Sequence, residues 1–406
     1  MVAPGRKNQY REHNGVLFGP DESFEPFVSP VQALKNGRLS DRKELHVLQN
    51  RLHYALGDYL NGKEPHGLDI AASIMSSRGV TTNSADPLEV ITTYYRNSKD
   101  LLPVGRRKED VKISAFRSED YGENDLEREI QALAGSVREI EGKLSGAYLH
   151  GSFGDLNYVR NYSDVDVLLV VSEDTVTERR ELKRLRSYIP RLQEHYYYVD
   201  PHQHHGTMIA AEPDLRAYNR AYLPPVALSR GRSLFGGQEK TFHLREEELE
   251  REHGFWRVLQ TLRRCVIDER FPSQHDGTYL SKECEGPLYC LKHFTSLVLL
   301  LPSLYVTARG KPVYKADSFG LDLLEQGIND LEIIQRCSEV RRLYPNAVSF
   351  QRHEAYRAAL ASDPERARRK HHQLAIPDQF WEILDIDYFD SALRAGEFLW
   401  TEIQRR

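Results

Sequence analysis

Two short segments decide the fold: AYLHGSFG at residues 147–154 and SDVDVLLVV at residues 163–171. The run from Val165 to Val171 is almost wholly apolar and rich in Val and Leu, which predicts a buried central strand. The first segment is a short apolar run that ends in a Gly-Ser turn. Because residues two apart in a strand point to the same side, Asp164 and Asp166 present two carboxylates on one face.

This pair of carboxylates indicates a cation site. Two carboxylates beside a core cost free energy unless a cation compensates them. Hard oxygen ligands on a rigid strand suit Mg²⁺, which takes one or two carboxylates together with substrate phosphates. Gly151 lets backbone N–H groups approach a phosphate closely, and the Ser152 hydroxyl adds a donor. Together these residues predict a triphosphate cradle that faces a divalent-metal site.

The arrangement resembles the DNA polymerase β-like nucleotidyltransferase superfamily. The signature of that family is an apolar residue, Gly, then Gly or Ser, a spacer of about ten residues, and Asp-apolar-Asp-apolar. In this chain eleven residues, 153–163, separate Gly151-Ser152 from Asp164-Val165-Asp166-Val167. The motif covers residues 147–171, and the organisation of the chain agrees over residues 115–240.

The resemblance implies roles for several side chains. Asp164 and Asp166 are expected to bind two Mg²⁺ ions, with Mn²⁺ as an alternative, and Gly151 and Ser152 to bind the terminal phosphates. A third catalytic and metal-binding carboxylate is expected on a later strand. The first choice is Asp200, after the apolar run 196–199, and the second is Glu212. His204 or His205 could replace or support this third acid.

Helical domains that follow this catalytic unit commonly supply a lysine to the triphosphate and an aromatic ring to the base. Nucleotide-binding candidates here are Lys292, Lys311 and Lys315, with Tyr305 or Tyr314 as the stacking partner. Solvated surface lysines and core tyrosines explain each of these residues singly just as well. The basic segment 179–191 could meet nucleic acid, although a solvated helix face explains it better.

The pattern of the whole chain predicts an α+β fold. A small mixed-sheet nucleotidyltransferase unit is expected between a helical N-terminal region and a helical C-terminal domain, with boundaries at residues 1–112, 113–240 and 241–406. Helical periodicity predicts helices at 41–60, 124–144 and 177–192. Strands are expected at 196–199 and 207–211. The Pro- and Gly-containing segment 223–237 is interpreted as the exit from the sheet unit.

Composition excludes several other classes of protein. The chain has 406 residues and a net charge of −5, which argues against a general nucleic-acid-coating protein. No stretch approaches the ~20 apolar residues that span a bilayer, so no membrane partner is expected. Four scattered cysteines indicate buried reduced thiols and a cytoplasmic protein.

The resulting hypothesis is a Mg²⁺-dependent nucleotidyltransferase. It would transfer a nucleoside monophosphate, with AMP favoured, from an NTP, with ATP favoured, to a hydroxyl-type acceptor and release pyrophosphate. A small-molecule acceptor is preferred over a protein or tRNA, nucleic acid enters only as an acceptor, and second-messenger synthesis stays open. The alternative is a catalytically inactive, nucleotide-binding regulatory module of the same fold.

Overall fold

A computed structural model of the chain describes residues 11–13, 16–18, 41–122, 124–203, 206–220, 222–245, 248–268, 270–272, 279–281, 286–320, 331–346, 350–385 and 387–405. The fold is a mixed α+β fold with small sheets, as the sequence predicts. Near the N-terminus, strands β1 (Arg11–His13) and β2 (Val16–Phe18) form an antiparallel pair.

The described part of the N-terminal region contains the helices α1 (Asp41–Leu60), α2 (Leu68–Ser77) and α3 (Pro87–Leu101). Helix α3 begins at Pro87 because the Asp86 side chain accepts from the next free backbone N–H groups and proline is tolerated in the first turn. The predicted helix at 41–60 is confirmed.

A five-stranded mixed sheet lies at the centre of the chain. Its strands, in sequence order, are β4 (Ser114–Ala115), β5 (Leu144–His150), β6 (Asp166–Val171), β7 (Met208–Ala211) and β8 (Arg232–Phe235). Their spatial order is β4-β8-β5-β6-β7. Strand β5 pairs antiparallel with both β6 and β8, whereas β6–β7 and β4–β8 are parallel. The predicted strands at 165–171 and 207–211 are confirmed.

Both faces of this sheet are buried, which explains why β6 reads as a continuous apolar run. Val167, Leu169 and Val171 belong to a core shared with helices, and Leu168 and Val170 pack into a second core on the opposite face. The second core contains residues of an antiparallel pair formed by β3 (Arg107–Lys112) and β9 (Glu239–Leu244).

Four helices accompany the sheet: α4 (Asp125–Arg138), α5 (Gly151–Gly154), α6 (Glu173–Val176) and α7 (Arg179–Val199). The helix predicted at 124–144 starts where expected, with Asn124 as its N-cap, but ends at Arg138. Ile140 and Leu144 are buried all the same, because a short turn and the start of β5 carry them into the same core. The apolar spacing over residues 138–144 is compatible both with a longer helix and with the observed turn and strand.

Two other sequence predictions are wrong. The expected strand at 196–199 is the last turn of α7, whose buried residues continue at helical spacing through Leu192, Tyr196 and Val199. The segment 223–237 is not an exit from the sheet, since it contains β8, which pairs with β5. Three residues of β8 (Ser233, Leu234 and Phe235) follow the turn signals too closely for periodicity to reveal a strand.

The C-terminal part is helical within the described residues. Its helices are α8 (Glu248–Ile267), α9 (Pro287–Val298), α10 (Leu301–Ala308), α11 (Leu331–Leu343), α12 (Phe350–Ser362), α13 (Pro364–His372) and α14 (Tyr388–Gln404). Strands β10 (Arg270–Pro272) and β11 (Tyr279–Ser281) form one further antiparallel pair.

Besides the core on the opposite face of the sheet, two larger cores hold the described helices. Helices α1, α2 and α3 share one hydrophobic core with the sheet, α4 and α7, so the predicted boundary near residue 112 separates segments that pack together. Buried Asp214 reinforces this contact because its Oδ2 accepts from His53 Nδ1 at 3.1 Å and from Tyr95 Oη at 3.0 Å. The C-terminal helices have a core of their own, which also takes in Tyr162 of the spacer.

Contrary to the expectation from sequence, one stretch of the described residues, Pro287–Ala308, is long and apolar enough to cross a membrane by composition, and 72% of its most apolar window is buried inside the protein. That degree of burial is consistent with a core segment of a soluble protein. Cys265, Cys290 and Cys337 are buried free thiols, as the sequence predicts. Cys284 lies outside the described residues.

Candidate functional site at the ends of two central strands

The Gly-Ser turn and the two aspartates meet at one end of the sheet. His150, the last residue of β5, pairs with Asp166, the first residue of β6. Gly151 follows directly with a φ of +61°, in the left-handed region. A Cβ on Gly151 would lie 2.1 Å from Asp166 Oδ2. Only glycine therefore allows the turn and the carboxylate to approach each other this closely.

Asp200 lies next to this pair, although no strand carries it. It is the C-cap of α7, and its side chain is fully buried. The turn after α7 is fixed to the start of β6 by Gln203. The Gln203 side chain accepts from Val165 N at 2.9 Å and donates to Val165 O at 3.2 Å. Since Val165 separates the two aspartates, this double hydrogen bond brings Asp200 to Asp164.

Lys292 of α9 joins Asp164 to Asp200. Its Nζ donates to Asp164 Oδ1 and to Asp200 Oδ2, and it reaches His202 O at 3.3 Å. The Lys292 side chain is 1% exposed and that of Asp164 12%. The ammonium hydrogen-bonds to the two carboxylates, and the expectation that Lys292 binds the triphosphate stays a prediction.

The charges of this cluster depend on one another. Burial lowers the pKa of Lys292, but the negative charges of Asp164 and Asp200 outweigh burial, so the pKa lies above its ordinary value. Burial raises the pKa of Asp200 well above its ordinary value against the opposing charge of Lys292, and the Asp164 carboxylate adds to the rise. Lys292 is therefore protonated at neutral pH.

Lys315 and Tyr314 approach the site from the segment after α10. The Tyr314 hydroxyl donates to Gly151 O at 3.1 Å. Burial lowers the pKa of Lys315 to about 8, and Arg341 contributes to this decrease, while Asp166 and Asp164 oppose it. Lys315 thus lies within electrostatic reach of both aspartates and of a second cation, Arg341.

Two arginines that the sequence analysis missed lie beside these residues. Arg230 stacks over the Tyr314 ring at 5.0 Å and pairs with Asp317. Arg341 of α11 donates to Asn157 O at 3.2 Å and lies 5.9 Å from the Tyr162 ring centroid. Neither arginine carries a local sequence signal of this kind, because only the docking of Tyr162 on the C-terminal core brings α11 and Arg341 to the spacer.

The other candidates among the described residues lie elsewhere. Glu212 follows the far end of β7, where Ala211 pairs with Val171, and its carboxylate accepts from Glu173 N at 3.2 Å. It is therefore at the end of the sheet opposite Asp166. Lys311 is exposed in the turn after α10. Tyr305 is buried in the C-terminal core, where its hydroxyl accepts from Arg309. His204 and His205 lie outside the described residues.

Two arginines in the basic segment of α7 pair with acids. Arg179 pairs with Asp86 and Glu89 of the N-terminal region, and Arg184 pairs with Glu181. Arg186 lies 4.5 Å over the Tyr59 ring. These contacts agree with a solvated and paired helix face.

The donor set suits one hard cation and does not by itself form a closed metal site. In the part of the chain that the structure describes, no group of three or more His, Cys, Asp or Glu side chains is placed to hold a metal ion. Asp164 and Asp166 supply two carboxylates, and Mg²⁺ commonly completes its shell with substrate phosphates and water. Comparison of the chain with family models, curated proteins and solved structures finds no match.

Proposed function

We propose that this protein is a cytoplasmic, Mg²⁺-dependent nucleotidyltransferase that transfers AMP from ATP to a hydroxyl group of a small molecule. The observation that carries the proposal is the meeting of Gly151-Ser152 with Asp166 at adjacent strand ends, with Asp164 beside them. A carboxylate at the start of a buried strand, in contact with a turn that only glycine can form, costs free energy of folding. Such an arrangement supports the proposal that the site has a function.

The residues around Asp164 and Asp166 would each have a separate role in binding an NTP. Asp164 and Asp166 would hold Mg²⁺, which supplies a Lewis acid for the phosphates. Lys315 lies within electrostatic reach of both aspartates and of Arg341, and the positive charge of these two residues would attract a triphosphate. Tyr314, bonded to Gly151 O, orients the turn that faces the phosphates. Lys292 and Gln203 keep Asp164 in position.

The proposed transfer balances as a substitution at the α-phosphorus. The acceptor hydroxyl oxygen forms a bond to that phosphorus, the bond to the bridging oxygen breaks, and pyrophosphate leaves with the electron pair. The hydroxyl proton passes to a base. Asp166 is the candidate, because Asp200 is fully buried and bonded by Lys292.

A second candidate function is a nucleotide-binding module without catalysis. The contact of Lys292 with Asp164 and Asp200 favours it, since the third carboxylate of the resemblance is already engaged. In that case nucleotide affinity would survive the loss of Asp166, whereas an enzyme would lose turnover by about 10² or more, the scale of a lost catalytic group.

The test is transfer of label from each NTP, labelled at the α-phosphate, with Mg²⁺ or Mn²⁺ and a cell-derived pool of small molecules. Asp166→Asn is the diagnostic variant, and Asp174→Asn is its matched control, because Asp174 is exposed at the other end of the sheet. Label transfer by the wild type and by Asp174→Asn, but not by Asp166→Asn, supports an enzyme. Nucleotide binding without transfer in all three supports the binding module.

A further inference from the structure

The ammonium of Lys292 has no donor left for a ligand. An ammonium carries three N–H donors and no acceptor. In this site the three acceptors are Asp164 Oδ1, Asp200 Oδ2 and the backbone oxygen of His202. The π face of Tyr162 lies 5.7 Å from Nζ on a further side. Lys292 is therefore a fixed structural cation and not a mobile phosphate-binding arm.

The ammonium of Lys292 lies between the carboxylates of Asp164 and Asp200. In the family that the motif resembles, three carboxylates share two divalent ions. In this chain the space between the first carboxylate, Asp164, and the third, Asp200, is taken by an ammonium that belongs to the chain. Asp200 is fully buried and Asp164 is 12% exposed, so a hydrated ion cannot enter between them while the lysine is present.

We propose that Lys292 is a built-in cation of this site. Its ammonium replaces one divalent ion between Asp164 and Asp200, and the protein binds a divalent ion only on the side shared by Asp164 and Asp166. The second half of this statement rests on the proposed function, whereas the first half does not. Lys292 is thus a positioning residue that orients Asp164.

Two further observations agree with a permanent role. Gln203 clamps the Asp200 turn to Val165 with two hydrogen bonds, so Asp200 cannot swing toward Asp166 without breaking them. When ionised, the three carboxylates and the ammonium carry two negative charges together, which a single divalent ion balances. A second divalent ion would have to displace Lys292 into an apolar core formed by neighbours such as Leu288 and Leu291.

The deciding experiment counts Mn²⁺ ions per chain. Wild type and Lys292→Met are titrated with Mn²⁺ in the presence of an ATP analogue with a methylene group between the α- and β-phosphorus, and free Mn²⁺ is read by electron paramagnetic resonance. Lys292→Met is expected to bind one ion more than the wild type. Lys99→Met is the control, because Lys99 pairs with Glu173 on the surface. Equal counts in Lys292→Met and wild type overturn the proposal.

Folding of the variant is part of the test. Removal of Lys292 leaves the carboxylates of Asp164 and Asp200 in a buried site without their shared ammonium, which destabilises the fold. If Lys292→Met is unfolded without metal, Mn²⁺ is expected to restore the fold, since the ion takes the place of the ammonium and metal binding is coupled to folding. A variant that stays unfolded in Mn²⁺ contradicts the proposal.

Asp200→Asn provides an independent measurement, since Lys292 keeps its bond to Asp164 in this variant. Mn²⁺ affinity is expected to fall by at least about tenfold in Asp166→Asn and by clearly less in Asp200→Asn, where the metal ligands are intact. Similar losses in the two variants would contradict the proposal. If wild type binds no Mn²⁺ with nucleotide while Lys292→Met binds one ion, the proposed function fails and the built-in cation stands.

Discussion

Replacing Lys292 by methionine tests how much the buried charge cluster contributes to stability. Methionine keeps the length and the apolar stem of lysine and removes only the ammonium. Asp200 then stays in a fully buried position without a countercharge, although His202 N still donates to its Oδ1 at 3.0 Å, and Asp164 can still rehydrate through its exposed 12%. Breaking a buried ion pair by removing one partner costs about 3–5 kcal/mol, and we expect a loss of free energy of unfolding in that range.

The assay is urea unfolding at neutral pH in a chelator, so that no divalent ion substitutes for the ammonium. Two further variants serve as controls for the loss of stability in Lys292→Met. Lys99→Met removes an exposed partner of Glu173 and should cost about 1 kcal/mol or less. The double variant Lys292→Met, Asp200→Asn removes charge and countercharge together and should recover more than half of the loss.

The pH dependence of the loss provides a second readout. When a carboxyl has a higher pKa in the folded than in the unfolded protein, the folded protein loses stability as the pH rises through that folded pKa. Burial raises the pKa of Asp200 well above its ordinary value, and Lys292 opposes that rise. Without the lysine the folded protein accepts a proton on Asp200 more readily, so the deficit should shrink as the pH falls below neutral. A deficit under about 1 kcal/mol, or one equal at all pH values, would refute the reasoning.

Three further predictions concern the same end of the sheet. Gly151→Ala should lower the free energy of unfolding in urea by at least about 1–2 kcal/mol, the cost of a left-handed alanine, and abolish transfer because its Cβ meets Asp166; an active, stable variant would contradict this. Gln203→Ala should cost about 1–3 kcal/mol by leaving Val165 N and O unpaired, and calorimetry that shows no loss would exclude the clamp. Nucleotide affinity should weaken as the pH rises through about 8, where Lys315 loses its proton, and Lys315→Arg should remove this pH dependence in a titration from pH 6.5 to pH 9.

The sequence by itself predicted the elements that local patterns dictate. The run of Val and Leu after Asp166 could only be a strand buried on both faces, and the two cores that enclose β6 confirm this. Helix α1 followed from its apolar spacing, and the start of α4 from the capping oxygen of Asn124. The sequence indicates Gly151 for the close approach of a phosphate, which stays a prediction, whereas the register of β5 with β6 puts it against Asp166.

Periodicity failed where two structures explain the same pattern. Tyr196 and Val199 fit a short apolar strand as well as the last turn of a helix, and packing on the shared core decided for the helix. The sequence predicts Asp200 at the end of a strand, and that placement is wrong because Asp200 is the C-cap of α7. It lies beside Asp164 because the end of a helix and the Gln203 clamp bring it there.

The role of Lys292 was decided by tertiary structure alone. The sequence shows a single lysine in an apolar helix, 128 residues away from Asp164, and nothing local distinguishes a phosphate ligand from a structural cation. The docking of Tyr162 on the C-terminal core brings α9 against the start of β6. Desolvation then leaves the ammonium only one favourable environment, between two carboxylates, because a buried charge must be paired. Local sequence determines which residues can bind a cation, and long-range packing determines which cation they hold.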